Sequence, residues 1–286
     1  MEKIRLKKQL NRSHGGNFVI FLLLALLGAF MVLPLWYSIV TAFKPSEEIF
    51  LFPPRMYVEN PTVRNFTNLF QLMTNLTVPF IRYLFNSVFV SIVTTGAGVL
   101  IGALAAYPFA KKQFPGKKIL WKLIMTTLLF SGGVTALPAY IVKAKLGLIN
   151  SYWVLILPSL ASTLHVFLMR QFMTQIPDSL LEAARLDGAN EFQVFMHLVM
   201  PNVKPAWMTV MVLSFQSIWN TGSGGVVYDE SLKLLPTALS QISAGGINRT
   251  GVAAAATLLL MIPPILAFVI TQSKMLDTMA HSGIKD

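Results

Sequence analysis

Apolar residues in this chain follow neither the two-residue period of a half-buried strand nor the 3.6-residue period of a surface helix. They come in long unbroken runs. A helix rising 1.5 Å per residue needs about 20 such residues to cross roughly 30 Å of hydrocarbon. Six stretches meet or approach that length: residues 18–40, 84–108, 119–141, 151–173, 205–222 and 252–270. The fifth is the least clear, because Gln216 and Asn220 crowd its end. The pattern predicts an all-α integral membrane protein of six transmembrane helices. Its membrane domain covers residues 18–271, between tails at 1–17 and 272–286.

Small residues and prolines punctuate the runs. Gly96, Gly98, Gly102, Ala103, Ala105 and Ala106 allow close helix packing in the second span, and the spacing of Gly98 and Gly102 also suits a seam with a partner. Pro138, Pro158 and the pair Pro263-Pro264 remove backbone donors, so they should kink or break their helices. They are tolerable only where neighbours satisfy the freed carbonyls.

Composition agrees with the pattern. The chain is 54% hydrophobic and 12% charged, with a mean hydropathy of +0.61, against about 25% charged residues in a soluble domain. The net charge of +11 carries no basic stripe interleaved with stacking aromatics, which argues against nucleic acid. It follows instead the bias of Lys and Arg toward cytoplasmic loops. With the basic residues Lys3 to Arg12 inside, fifteen of the 23 fall on the inner side, although Lys143 and Lys145 dissent. Both termini are then cytoplasmic. The first run is longer than a signal-peptide core and reads as an uncleaved anchor. No cysteine is present, which excludes disulfides and thiolate sites.

Three polar segments are long. Residues 41–80 lie outside and contain Lys44-Pro45, Pro53-Pro54 and Asn60-Pro61, turn chemistry that favours an ordered irregular loop over a helix. Asn65-Phe66-Thr67 and Asn75-Leu76-Thr77 match a glycosylation pattern common by chance. Residues 223–251 form a second external loop, rich in glycine, where Asp229-Glu230 reads as a solvated turn.

The third polar segment, residues 174–204, is cytoplasmic and the most informative. Pro177 suits a helix start, and Asp178 and Glu182 suit the positive end of a helix dipole. Gly188 ends that helix. Asn190 caps a second one, with Phe192, Val194, Phe195 and Leu198 as its apolar positions and Pro201 closing it. The product is a helix-turn-helix at the membrane surface. Ala183, Ala184 and Gly188 leave one side nearly bare, open to close approach by another protein, and Glu182, Arg185 and Asp187 supply charges for such a contact. The alternative is an amphipathic loop that packs only on its own bundle.

Other chemistry is sparse. An ion-coupled carrier needs ionisable groups in mid-membrane, yet none of the six spans contains Asp or Glu. Lys122 and Arg170 lie close enough to the boundary to snorkel, and His165 fits a hydrogen-bonded packing residue better than a proton relay. His14, His165, His197 and His281 lack ligand spacing, and no nucleophile-and-base grouping is suggested. A substrate pathway has one candidate cluster, Trp219 with Gln216 and Asn220, whose ring face and amides suit a sugar. An interfacial tryptophan is the plainer reading.

The cytoplasmic segment also resembles a known family. Glu182-Ala183-Ala184, three residues, Gly188, nine residues and Leu198-Val199-Met200-Pro201 is similar to the EAA loop of ABC importer permeases, with Leu198 and Met200 as mild departures. The resemblance runs from Asn86 to the C-terminus through residues 145–151, Arg170-Gln171-Phe172 and Ser217-Ile218-Trp219-Asn220, all like the carbohydrate-uptake branch. It is nearest the smaller six-span permease of the heterodimer, the counterpart of the maltose system's second permease. The resemblance implies a type I importer permease fold in a bacterial plasma membrane, with Glu182 to Gly188 as a coupling helix seated in a separate ATPase. Its implied partners are a second permease, an ATPase dimer carrying ATP and Mg, an extracytoplasmic solute-binding protein, membrane lipid and a carbohydrate, with oligosaccharides favoured. The ends Met279 to Asp286 resemble permeases for plant-polysaccharide fragments. This chain has no G-x-x-x-x-G-K-[ST] phosphate loop and is not expected to bind a cofactor or hydrolyse ATP itself.

Overall fold

A computed structural model describes residues 14–74, 78–130 and 132–282. The basic residues Lys3 to Arg12, the Asn75-Leu76-Thr77 pattern and Lys285 lie outside them. All regular structure among the described residues is helical. In chain order the helices longer than two turns are α1 (His14–Phe43), α2 (Arg64–Thr74), α3 (Phe80–Lys111), α4 (Lys117–Thr127), α5 (Gly132–Lys145), α6 (Trp153–Leu160), α7 (Thr163–Met173), α8 (Asp178–Leu186), α9 (Glu191–Asn202), α10 (Lys204–Trp219), α11 (Leu235–Ser243) and α12 (Thr250–Ser282).

Four segments among the described residues are long and apolar enough to cross a membrane: Gly15–Phe43, Phe80–Lys111, Trp153–Met173 and Ile247–Gln272. Two expected spans differ. The stretch 119–141 is not one helix, because the chain turns at 128–130 between α4 and α5. The fifth, α10, has 16 residues and meets α9 at 79°, and only the bent pair together reaches spanning length. Pro158 does precede a break, since α6 stops at Leu160 and α7 starts at Thr163. Pro263-Pro264 leaves α12 continuous instead.

The described residues divide into two compact units. In residues 14–69 with 245–258, the stretch after α1 is ordered as expected, by buried polar side chains. Glu48 accepts from the Glu59 and Asn60 backbone (3.1 and 2.8 Å), and Lys44 donates to the Arg55 carbonyl (2.5 Å). Asn65 donates to the carbonyls of Ala42 and Lys44 (both 2.8 Å). An added Cβ on Gly251 would lie 2.4 Å from the Asn65 amide, so only glycine fits beside it. Contrary to the sequence expectation, two helices form within this stretch, a single turn at Ser46–Ile49 and the longer α2. In α2 the apolar residues Leu69 and Met73 fall four apart and bury one stripe, which outweighs the turn residues upstream.

In residues 70–244 with 259–282, α3 is the central helix. It buries Ser87, Ser91, Thr94, Gly98, Gly102 and Ala106, a stripe at helical spacing. Gly98 and Gly102 pack within this chain: a Cβ on Gly102 would meet the His165 Cβ at 2.7 Å, and one on Gly98 would meet its ring at 3.3 Å. Gly96 faces open space. At the other end of α3, Asn86 donates to the Ser231 and Lys233 carbonyls (both 2.9 Å) and accepts from Tyr152 (2.6 Å). Asn86 thereby ties the glycine-rich loop to the bundle. Asp229 makes the expected turn by accepting from Ser231 N and Oγ, but Glu230 is not simply solvated. It accepts from Tyr83 (2.8 Å) and Lys233 (2.5 Å). Burial alone would push the Glu230 carboxyl up, and those two donors outweigh it and hold it below the usual range.

Candidate functional site

The segment between α7 and α10 folds as an elbow. Pro177 sits just before α8 as its cap position, one residue earlier than expected. Gly188 adopts φ +88°, its N–H bonds the Arg185 carbonyl and the Ala189 N–H bonds the Ala184 carbonyl (both 3.0 Å). This is a Schellman termination, and it needs a residue free of the left-handed penalty. Asn190 then caps α9 in a reciprocal box with Gln193: each backbone N–H donates to the other's side-chain oxygen at 2.9 Å.

A wide π-helical turn occupies Val194–Val199 inside α9. Pro201 accounts for it locally, because it has no N–H to return to the preceding turn, and Met200 N–H reaches back five residues to the Phe195 carbonyl. Trp207 closes the bend into α10 by donating to the Met200 carbonyl (3.1 Å). Pro201 thus lies two residues before the bend at Val203.

The elbow is anchored to its own bundle. Leu181, Val194, Phe195, Val199 and Val203 are buried in one cluster with Ala103, Ala106, Tyr107, Met169 and Met173. Glu191 is the polar hub: its carboxylate accepts from Lys112 (2.5 Å), Arg185 (2.9 Å) and Tyr107 (3.0 Å). Lys111 pairs with Asp178 (2.8 Å) and donates to the Ile176 carbonyl. The Lys111 ammonium holds the Asp178 carboxyl below its ordinary value. Sequence reasoning missed this hub, because Lys111 and Lys112 registered only as inner-side charge and Glu191 had no motif to mark it. Arg185 is therefore engaged within the chain, whereas Glu182 and Asp187 are exposed.

The outward side of the elbow carries large apolar residues among its charged and small ones. Leu186 is 89% exposed and Phe192, expected as an inward position, is 65% exposed. A cleft of about 500 Å³ lies beside them, lined by Ala184, Asp187, Gly188, Ala189, Gln193 and His197 among others. Ala183 is exposed, and no atom lies within 4 Å of where a Gly188 side chain would start. One face of the elbow thus packs on the bundle and the other is exposed.

The pathway candidates fall elsewhere. Trp219 is buried, stacks on Phe215 (5.7 Å between centroids) and donates its indole N–H to the Leu260 carbonyl (3.0 Å). Asn220 bonds back to the Gln216 carbonyl (2.9 Å). A cavity of about 330 Å³ is lined from α10 by Leu213, Ser214, Ser217 and Ile218, which share one face of the helix. Gln216, Trp219 and Asn220 share the other. His165 lines this cavity too. Ser214 Oγ uses its one proton on the Val210 carbonyl (2.6 Å), so His165 Nε2 is the donor in their 2.7 Å bond. The histidine is hydrogen-bonded within the bundle through Nε2, and its buried Nδ1 has no partner among the described residues.

A helical bundle of long apolar segments with an interrupted span and a surface elbow defines the type I ABC-importer permease fold. A chain of a bacterial ABC transporter that imports the acidic polysaccharide alginate shares it, with a TM-score of 0.76 over 93% of this chain and 99% of that one at 20% identity. The chain belongs to the family of binding-protein-dependent transport system inner membrane components, whose sequence profile matches residues 98–277. Among relatives, protein LplC of Bacillus subtilis is 31% identical over 206 residues, 70% of this chain and 66% of that one. The arabinooligosaccharides transport system permease protein AraQ of the same organism is 27% identical over 267 residues, 93% of each chain. The polygalacturonan/rhamnogalacturonan permease protein YtcP, also from Bacillus subtilis, is 34% identical over 147 residues, 51% of each. The matched part thus spans half to two thirds of two of these relatives and nearly all of the third.

Proposed function

We propose that this chain is one of two permease subunits of an ATP-driven, binding-protein-dependent carbohydrate importer in a bacterial plasma membrane. In this reading α4 with α5 makes the third span and α10 with the residues that follow it the fifth, for six in all. The chain is then a counterpart of the maltose system's second permease. Both tails and the elbow face the cytoplasm, as the clustering of Lys111, Lys112 and Arg185 at the elbow supports.

The observation that carries the reading is the two-faced elbow. Its buried side, Leu181 with Val194 and Phe195, transmits force to α3 and α7. Its outward side, Leu186, Phe192 and the bare Ala184-Gly188 surface, fits a groove on a separate ATPase. Closure of an ATPase pair on ATP moves the elbow, and the bundle follows because α8, α9 and the core move as one body. Glu182, Ala183, Ala184, Asp187 and Gly188 form the contact, Arg185 braces it from within, and Pro201 sets the bend. ATP and Mg belong to the ATPase, and the second permease completes the pathway. A binding protein delivers the cargo. The names of AraQ and YtcP support oligosaccharides as that cargo.

Reconstitution tests this reading. Vesicles holding this chain, its cognate permease and ATPases should take up an oligosaccharide only with ATP and the binding protein present, and the purified chain alone should not hydrolyse ATP. Uptake driven by a proton or sodium gradient without ATP would refute it.

A further inference from the structure

The cavity between α3, α6, α7 and α10 has a lining unlike the apolar faces around it. Six of its groups are hydroxyls or imidazole: Thr94, Ser159, Ser162, His165, Ser214 and Ser217. Leu213 and Ile218 belong to the apolar remainder, and no Asp, Glu, Lys or Arg is among the lining residues. It lies where the span Trp153–Met173 is interrupted at residues 161–162. Irregular backbone at membrane depth is stable only where protein buries it or where it lines a polar cavity, since the free ends of both half-helices need partners. Ser162 stands at the start of α7 with no side-chain capping bond. Thr94 is 2% exposed, and its Oγ1 has no hydrogen-bond partner among the described residues. A buried hydroxyl without a partner, beside an uncapped helix start, points to a ligand that brings its own donors and acceptors.

We propose that this cavity is a subsite on this chain for one ring of a neutral, hydroxyl-rich sugar. The proposal rests on the carbohydrate reading above and adds where this subunit would hold cargo and of what charge. Paired hydroxyls of a pyranose or furanose ring match Thr94, Ser162 and Ser217, which can both donate and accept, with Ser159 and Ser214, whose protons go to backbone carbonyls, as acceptors, and its C–H face matches Leu213 and Ile218. A volume of about 330 Å³ sits at the lower end of small-molecule sites, enough for a single ring and not a chain. A carboxylate or phosphate would enter a space with no cation to pair it, at a large desolvation cost. The lining therefore favours neutral units over uronates.

The test uses the assembled transporter, this chain with its cognate permease and ATPases, in detergent and without the binding protein. Binding of arabinotriose, maltotriose and galacturonotriose is followed by saturation-transfer NMR and titration calorimetry. Thr94→Val and Ser217→Ala are compared with wild type after gel filtration has shown the assembly intact. Wild type should bind a neutral trisaccharide and not the uronate, and each substitution should weaken that binding about 5- to 10-fold, as expected for one lost hydrogen bond to a buried group. Equal binding by the variants and wild type would overturn the subsite, while ATP-dependent uptake left the carbohydrate reading standing. Preference for galacturonotriose would overturn the charge selection. A transporter that neither binds nor imports any sugar would overturn both.

Discussion

Trp219 donates its indole N–H to the carbonyl of Leu260 at 3.0 Å, and Leu260 is the residue four before Pro264. Pro264 has no N–H to return to that carbonyl, so the tryptophan satisfies the acceptor that the proline frees. The carbonyl freed by the second of the two prolines is thus paired where α12 runs unbroken through them. Trp219→Phe keeps the stacking on Phe215 but leaves the carbonyl unpaired, and should cost about 1–3 kcal/mol of stability. Adding Pro264→Ala restores the helix's own donor and should recover most of that loss in a thermal-melt double-mutant cycle. Independent, additive effects would show that the pair is not coupled.

Gly102 lies against His165 so closely that a Cβ would be 2.7 Å from the histidine Cβ. Gly102→Ala should destabilise despite alanine's better helix propensity of about 1 kcal/mol, because overpacking costs about 1–3 kcal/mol and this contact is to the stiff base of a side chain. Gly96→Ala, on the open side of the same helix, should be neutral or stabilising. Melting of the two variants in detergent distinguishes the sites.

Glu191 holds Lys112, Arg185 and Tyr107 together where α3 meets the elbow. Glu191→Gln keeps the shape and loses the charge. It should raise amide exchange across residues 178–203 and uncouple ATP hydrolysis from transport, with the ATPase still bound. An unchanged exchange pattern would mean that the apolar cluster alone fixes the elbow.

Acid should loosen the start of α8. The Asp178 carboxyl is held below its ordinary value of 3.8 by Lys111, so its contribution is complete above that value and is lost as pH falls through the depressed one. Protection of the α8 amides should be flat from neutral pH down to about pH 5 and decline below about pH 4. Asp178→Asn should reduce that decline at the start of α8 and leave the part that comes from Glu191, which Lys112 holds low in the same way.

The long apolar runs make four spans legible in the sequence, because a helix in lipid needs only length and apolarity. They do not reveal the turn at 128–130, which falls inside an apolar run just before Gly132-Gly133, and Pro201 and Pro205 mark the break at Val203 without giving its angle. The elbow was readable because its signals are local: Gly188 needs a positive φ and Asn190 caps within three residues. Glu191 and Asn86 were not, since their partners lie at 112 and 231 and only the packed bundle brings them together. The cavity face of α10 was missed for a related reason. Attention to Trp219 selected the face that packs on α12, and the serines on the other face carry no signal until Thr94 and His165 are placed opposite them.

The central claim is that the bare face of the elbow seats the ATPase. The most direct measurement is the affinity of the assembled permease pair for its ATPase, with Gly188 replaced in turn by Asn and Trp. Asn accepts the positive φ and adds little bulk, whereas Trp projects from a position with no atom within 4 Å. The account predicts near-native association for Gly188→Asn and at least about tenfold weaker association for Gly188→Trp, with the permease still inserted. ATPase binding by Gly188→Trp at wild-type strength would contradict it.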